Sequence, residues 1–215
     1  MKISGKSILN FSFAFLFICV LLPLSGCAMF GSSSSKTDYY TLEYDSPKLT
    51  GLNVLPFIIK IERFYASPLY NSEKISYRKS DFQTDEYNYD RWETNPAQLI
   101  AYFLYRDIKQ SGFFKGVFSH DTGYAATHSV SGTVDEFYED DRGKVWEAVL
   151  SLDIVLMAEN EPDINKRILF QKKYSARKPC AKKNPKAVAE AMSKAMSELS
   201  GQIITDIHKS LSGKI

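Results

Sequence analysis

The chain has 215 residues, 44% of them hydrophobic, with 27 basic and 25 acidic side chains. Residues 1–26 hold two lysines and no acid, so 25 of each sign remain from residue 27 onward. A balanced chain argues against nucleic acid as a partner, because that affinity needs a net basic surface. What remains after residue 26 is long enough for one domain with a sizeable core.

The N-terminus has the parts of an export signal. Lys2 and Lys6 supply the positive start, and an apolar stretch runs from Ile8 to Leu22, broken by Asn10 and Ser12. That is shorter than the roughly 20 residues a spanning helix needs. Leu24-Ser25-Gly26-Cys27 follows and resembles the lipobox of bacterial lipoproteins. The expectation is that 1–26 is cleaved and Cys27 is lipidated, with three acyl chains in the mature form. That exceeds the two signals stable attachment requires. Cys19 leaves with the signal and Cys27 carries lipid, so Cys180 is left without an intrachain partner. Its setting among lysines suggests an incidental thiol rather than a reactive one. Residues 27–37, with the run Gly31 to Ser35, read as a flexible tether. The domain then covers 38–215.

In chain order, Tyr39 to Tyr44 reads as a strand, and Val54 to Phe64 as a second, apolar enough to be central. Lys74 to Lys79 alternates as a half-buried strand, and Tyr87 to Trp92 is a short extended piece. A helix is punctuated by Asn95 as cap, Pro96 in the first turn, Gln98 completing a box-like pair and Gly112 as stop. Its apolar stripe is Ile100, Leu104 and Ile108. Ser129 to Phe137 and Lys144 to Met157 are strands joined by the turn signal Asp140-Asp141-Arg142-Gly143. Arg167 to Ala176 is another. Asn184-Pro185 opens a long helix with the stripe Val188, Met192, Ala195, Leu199, Ile203, Ile207 and Leu211, ended by Gly213. Gly201 inside it marks close packing. The fold class expected is α+β: a single domain with a mixed, mostly antiparallel sheet and two main helices packed on one face.

Few residues suggest chemistry. His120, His128 and His208 have no metal-ligand spacing, and no nucleophile elbow or phosphate loop is present. His120-Asp121 reads as a solvated loop pair. The chain is therefore expected to be non-catalytic and to need no metal or cofactor. From Lys166 to Lys186 there are nine basic residues and no acid, while 135–163 holds ten acids against Arg142 and Lys144. This opposition suits neighbouring strands that neutralise each other better than a surface for anionic lipid. Fourteen of the 29 aromatics lie between Phe64 and Phe118. Most belong to the core, but Tyr87, Tyr89, Arg91 and Trp92 are candidates for contacting a partner or lipid, since a loop seldom needs so many rings for packing.

The order of motifs behind the lipobox resembles the ABC-type transport auxiliary lipoproteins, the PqiC-like family. The matching residues are Tyr39-Tyr40-Thr41-Leu42, Ser67-Pro68-Leu69, Ile75-Ser76-Tyr77-Arg78, Tyr87-Asn88-Tyr89-Asp90-Arg91-Trp92, the helix from Pro96, and Ser111-Gly112-Phe113-Phe114. The resemblance spans most of 38–212 and is sharpest from 67 to 118; the charged segment 135–186 departs from it. It implies an outer-membrane lipoprotein beside an ATPase, a permease and a periplasmic MCE-domain protein, docking that protein and contacting phospholipid. It also implies that copies can form a homo-oligomer. Ala28, where an aspartate would signal inner-membrane retention, agrees with an outer-membrane site on the periplasmic face. The alternative is a structural lipoprotein of outer-membrane or cell-wall assembly.

Overall fold

The computed structural model describes residues 36–213; the export signal, Cys27 and the serine run lie outside the described residues. In chain order the elements are β1 (Asp38–Tyr40), β2 (Leu55–Ile61), β3 (Tyr65–Ala66), β4 (Lys74–Ser80) and β5 (Gln83–Trp92), then α1 (Pro96–Ser111) and β6 (Phe114–Ser119). There follow β7 (His128–Asp140), β8 (Glu147–Ala158), α2 (Ile164–Arg167), β9 (Ile168–Pro179) and α3 (Pro185–Ser212).

One mixed sheet holds all nine strands of the described residues, organised by β7. Along one edge β7 pairs antiparallel with β8, which pairs antiparallel with β9. Along its other edge it meets β2, β3 and β4 in series, all parallel. The long ladders are antiparallel because short connections such as Asp140 to Glu147 can only reverse the chain; the parallel β2–β6 pair needs the crossover through α1.

α3 packs on β8 and β9, and α1 on β6, β7, β3 and β2, with the two helices also in contact. The β8 side chains beneath them, Ala148, Leu150, Leu152, Ile154 and Leu156, are fully buried at 0% exposure. So is the whole expected stripe of α3. Both main helices start as their sequences predict: Asn95 accepts from the Ala97 N–H at 2.9 Å and Asn184 from the Ala187 N–H at 2.9 Å. Gly112 closes α1 at φ 70°, the left-handed conformation glycine adopts freely. The box-like pair takes another form, because Gln98 Oε1 accepts from the Thr94 hydroxyl at 2.6 Å.

Asp135 is a bulge residue: Val134 faces Leu152 and Glu136 faces Ser151. The extra residue keeps Val130, Gly132, Val134, Phe137 and Glu139 opposite the helix-facing residues of β8. It thus delivers a carboxylate, Glu139, to the covered face, where it is 0% exposed.

Two of these expectations change and a third is extended. The strand expected over Tyr39–Tyr44 stops at Tyr40, because the following backbone and side chains bond to helices instead. The Glu43 N–H donates to Ser193 Oγ at 2.9 Å, and the Tyr44 hydroxyl donates to the buried Asp107 at 2.7 Å. Tyr87–Trp92 is no separate piece but the second half of β5. The charged segments do neutralise each other across the sheet, through Lys173–Asp135 at 3.1 Å and Arg177–Asp140 at 2.5 Å. However, α3 also contributes acids to this neutralisation, with Asp206 holding Lys172 at 2.6 Å and Glu198 holding Lys178.

Candidate partner-binding surface

The register of β4 and β5 slips at the aromatic motif. Ser76 pairs with Glu86 and Lys74 with Arg91. Between those pairs β4 has one residue, the buried Ile75, and β5 has four, Tyr87 to Asp90. Such an excess bends the strand and re-aims its side chains. Simple alternation therefore cannot sort these residues into inside and outside.

The structure divides the four candidates. Trp92 is core: it is 1% exposed, and its ring meets Phe137 edge-on at 4.9 Å. It is not a contact residue as the sequence suggests, since a ring enclosed by the sheet presents nothing to a partner. Tyr87 is half-buried and donates its hydroxyl to Glu139 Oε2 at 2.9 Å, with its ring edge-on to Tyr77 at 4.9 Å. Burial and the Glu139 carboxylate push its phenol well above the usual range. Tyr89 is 52% exposed and Arg91 is partly exposed. The parallel β1–β5 pair sets exposed Tyr39 beside Arg91 and Tyr40 beside Trp92. Tyr40 donates to Asp90 Oδ1 at 3.0 Å, and desolvation together with that carboxylate raises its phenol to about 12. The outward set is thus Tyr39, Tyr89 and Arg91, fixed to the sheet by Tyr40, Tyr87 and Trp92.

A second feature has no motif in the sequence to announce it. A cleft of about 620 Å³ runs between α1 and the ends of β2 and β6. Ile61, Phe64 and Ala101 supply apolar lining; Arg63, Tyr102, Tyr105 and His120 supply polar groups. Tyr102 is 60% exposed. Tyrosines three apart on the polar side of an otherwise amphipathic helix were the available signal. His120 Nδ1 lies 3.5 Å from Asp121 Oδ1, and both residues are exposed. The Ser119 hydroxyl and the backbone N–H, more than His120, hold the Asp121 carboxyl below its ordinary value. That is the solvated pair the sequence suggests.

The other histidines lie elsewhere. His128 is buried against Phe57, and His208 is buried with Nε2 2.8 Å from the Asn53 carbonyl. Among the described residues no group of three or more His, Cys, Asp and Glu could hold a metal ion. No helix among them is long and apolar enough to cross a membrane. Cys180 is buried, and desolvation, with Glu139 nearby, pushes its thiol up to about 11.

The family of ABC-type transport auxiliary lipoprotein components matches residues 40–204 of the chain. The chain belongs to this family. Its fold is shared by solved structures. Protein XCC0632 from Xanthomonas campestris superposes with a TM-score of 0.73 at 15% identity, over 83% of this chain and all of that one. An uncharacterized protein of known structure gives 0.63 at 14% identity, over 80% of this chain and 99% of that one. No curated protein sequence matches. For an auxiliary lipoprotein of this family, the β1–β5 corner is where the chain enters the folded domain, and Tyr39, Tyr89 and Arg91 stand at that entrance.

Proposed function

We propose that this auxiliary lipoprotein serves an MCE-type lipid transport system at the outer membrane, docking the periplasmic MCE-domain protein through the surface around Tyr89 and Arg91. The family match over residues 40–204 is the observation that supports this reading most. The lipobox ending at Cys27 and the neutral Ala28 support the anchor and its location. In this reading 1–26 is removed, 27–37 is the tether, and 38–215 is the working domain. The role is positional rather than catalytic. Acyl chains on Cys27 hold the domain at the membrane, the tether sets its reach, and an exposed tyrosine–arginine set engages the conduit. Tyrosine and arginine suit that role because they are enriched where interfaces concentrate their energy. The cleft beside Tyr102 and Tyr105, at about 620 Å³, falls within the size range of small-ligand sites, which supports it as a second place for the proposed phospholipid contact. Association of several copies around the conduit belongs to the same reading.

Crosslinking in cells, followed by affinity capture from solubilised envelope, tests this. Capture should recover the MCE-domain protein, and Cys27→Ala should abolish both fatty-acid labelling and that recovery. Recovery of the lipoprotein alone, or of cell-wall assembly factors in its place, contradicts the reading.

A further inference from the structure

The hairpin joining β4 to β5 has a tip that the fold does not explain. Ser80 pairs with Gln83, leaving Asp81 and Phe82 as a two-residue loop. Phe82 has φ 64°, the one positive value outside glycine among the described residues. That position of a tight turn favours glycine or asparagine, because a Cβ there is strained. The ring gains nothing from packing in return: Phe82 is 110% exposed, as open as in an extended peptide. The left-handed conformation therefore costs the folded domain, and no burial of the ring offsets it.

The tip is nevertheless held firmly. Arg142 Nη1 donates to Asp81 Oδ1 at 2.6 Å, while the same guanidinium donates through Nε and Nη2 to Asp140 at 2.8 Å each. Asp140 is 5% exposed, so the brace is rooted in the central strand β7. The charges at the tip also cancel locally. Asp81 is met by Arg142; Asp85 accepts from the Tyr77 hydroxyl at 2.8 Å and lies 3.9 Å from Lys79. An anionic surface would meet no net repulsion there.

Strand direction says which surface that is. β1 runs parallel to β5, with Asp38 beside Asp90 and Tyr40 beside Trp92. The start of β1 therefore faces the end of β5 at which the hairpin turns. From Asp90 back to Gln83 is at most about 23 Å along the strand. Eleven residues, 27–37, can span about 35–40 Å when extended. The length assigned to 27–37 thus exceeds the distance from the start of β1 to the hairpin tip, so the tip is able to reach a bilayer that holds the acylated chain.

We infer that Phe82 is a membrane-contact residue: the β4–β5 tip places its ring among the lipids of the bilayer that holds the acylated chain, and so fixes how the domain stands on that bilayer. This rests on acylation at Cys27. One ring is no anchor, since the acyl chains supply the affinity; its effect is orientation, which a flexible tether alone leaves free.

The test uses full-length acylated F82W in vesicles containing phospholipid brominated along the acyl chain, which quenches only tryptophan that enters the bilayer. Fatty-acid labelling of the same sample reads Cys27. About a twofold loss of the emission added by the substitution, against little change for the wild type with Trp92 and Trp146, is expected. Labelled protein whose added emission matches that in unbrominated vesicles overturns the inference and leaves the anchor standing. The same holds if that emission responds only when an envelope protein is added, which would assign the tip to a protein pocket. Absence of labelling removes the anchor, and this inference with it. F82G, which suits the turn, separates contact from folding: it should melt no lower than the wild type yet lose the fixed stance, read as faster protease cleavage within 27–37 on vesicles.

Discussion

Glu139 shows how a single bulge shapes the chemistry of this domain. Asp135 shifts the phase of β7 so that Glu139, and not a neighbour, points under the helices. Burial pushes its carboxyl up to about 7, against the opposing hydrogen bond from Tyr87 and with a smaller push from Asp141. Unfolded, the group titrates near its ordinary 4.5. Between those values the folded state keeps a proton that the unfolded state has lost, so stability falls as pH rises through this window. Glu139→Gln retains an acceptor for Tyr87 and removes the charge. It should stabilise the fold at pH 8 by on the order of 2 kcal/mol, which raises the melting temperature there, and flatten the slope between pH 5 and 7. Thermal melts across pH read this directly, and parallel slopes for the two proteins contradict it. At this scale the sequence is only half legible. It marks Tyr87, Tyr89, Arg91 and Trp92 together, but their sorting into supports and surface depends on a register slip against β4 that no local pattern encodes.

Among the elements, those with their own punctuation are the readable ones. Asn95-Pro96 and Asn184-Pro185 carry the caps, and both apolar stripes have the helical period, so each helix declares itself without its neighbours. β6 does not: Phe114–Ser119 is six residues with Lys115 and Gly116 inside, and only its place beside β2 makes it a strand. The glycines separate by the same logic. Gly132 lies across from Ile154, and a Cβ there would sit 2.7 Å from the Phe64 ring. Gly132→Ala should therefore destabilise by about 1–3 kcal/mol. Gly201 reads in the sequence as a mark of close packing, but a Cβ there would meet Pro47 at an ordinary 3.5 Å. Gly201→Ala should then stabilise α3 by about 1 kcal/mol through helix propensity alone. Denaturant titration of both variants tests this contrast; equal losses would mean that α3 is packed more tightly than its contacts indicate.

For the whole molecule, layer and class are legible, while strand order is not. A sheet with two helices on one face follows from alternation and helical stripes, but the succession of β2, β3 and β4 along one edge of β7 is set by long-range pairing. That order creates the surface of interest, because β5 is left at the margin where β1 can add as the last strand. The entering chain, the exposed Tyr39–Tyr89–Arg91 set and the hairpin tip then lie along one border of the sheet, while helices and core support it from behind. The positional role proposed above would use this border for recognition, with the start of β1 on the same edge. The most direct measurement is photocrosslinking in growing cells, with a photoreactive amino acid at position 89 and, as a control, at exposed position 171 on β9. Docking through this border predicts an adduct with the MCE-domain protein from position 89 and none from 171. No such adduct, or equal adducts from both positions, would contradict it.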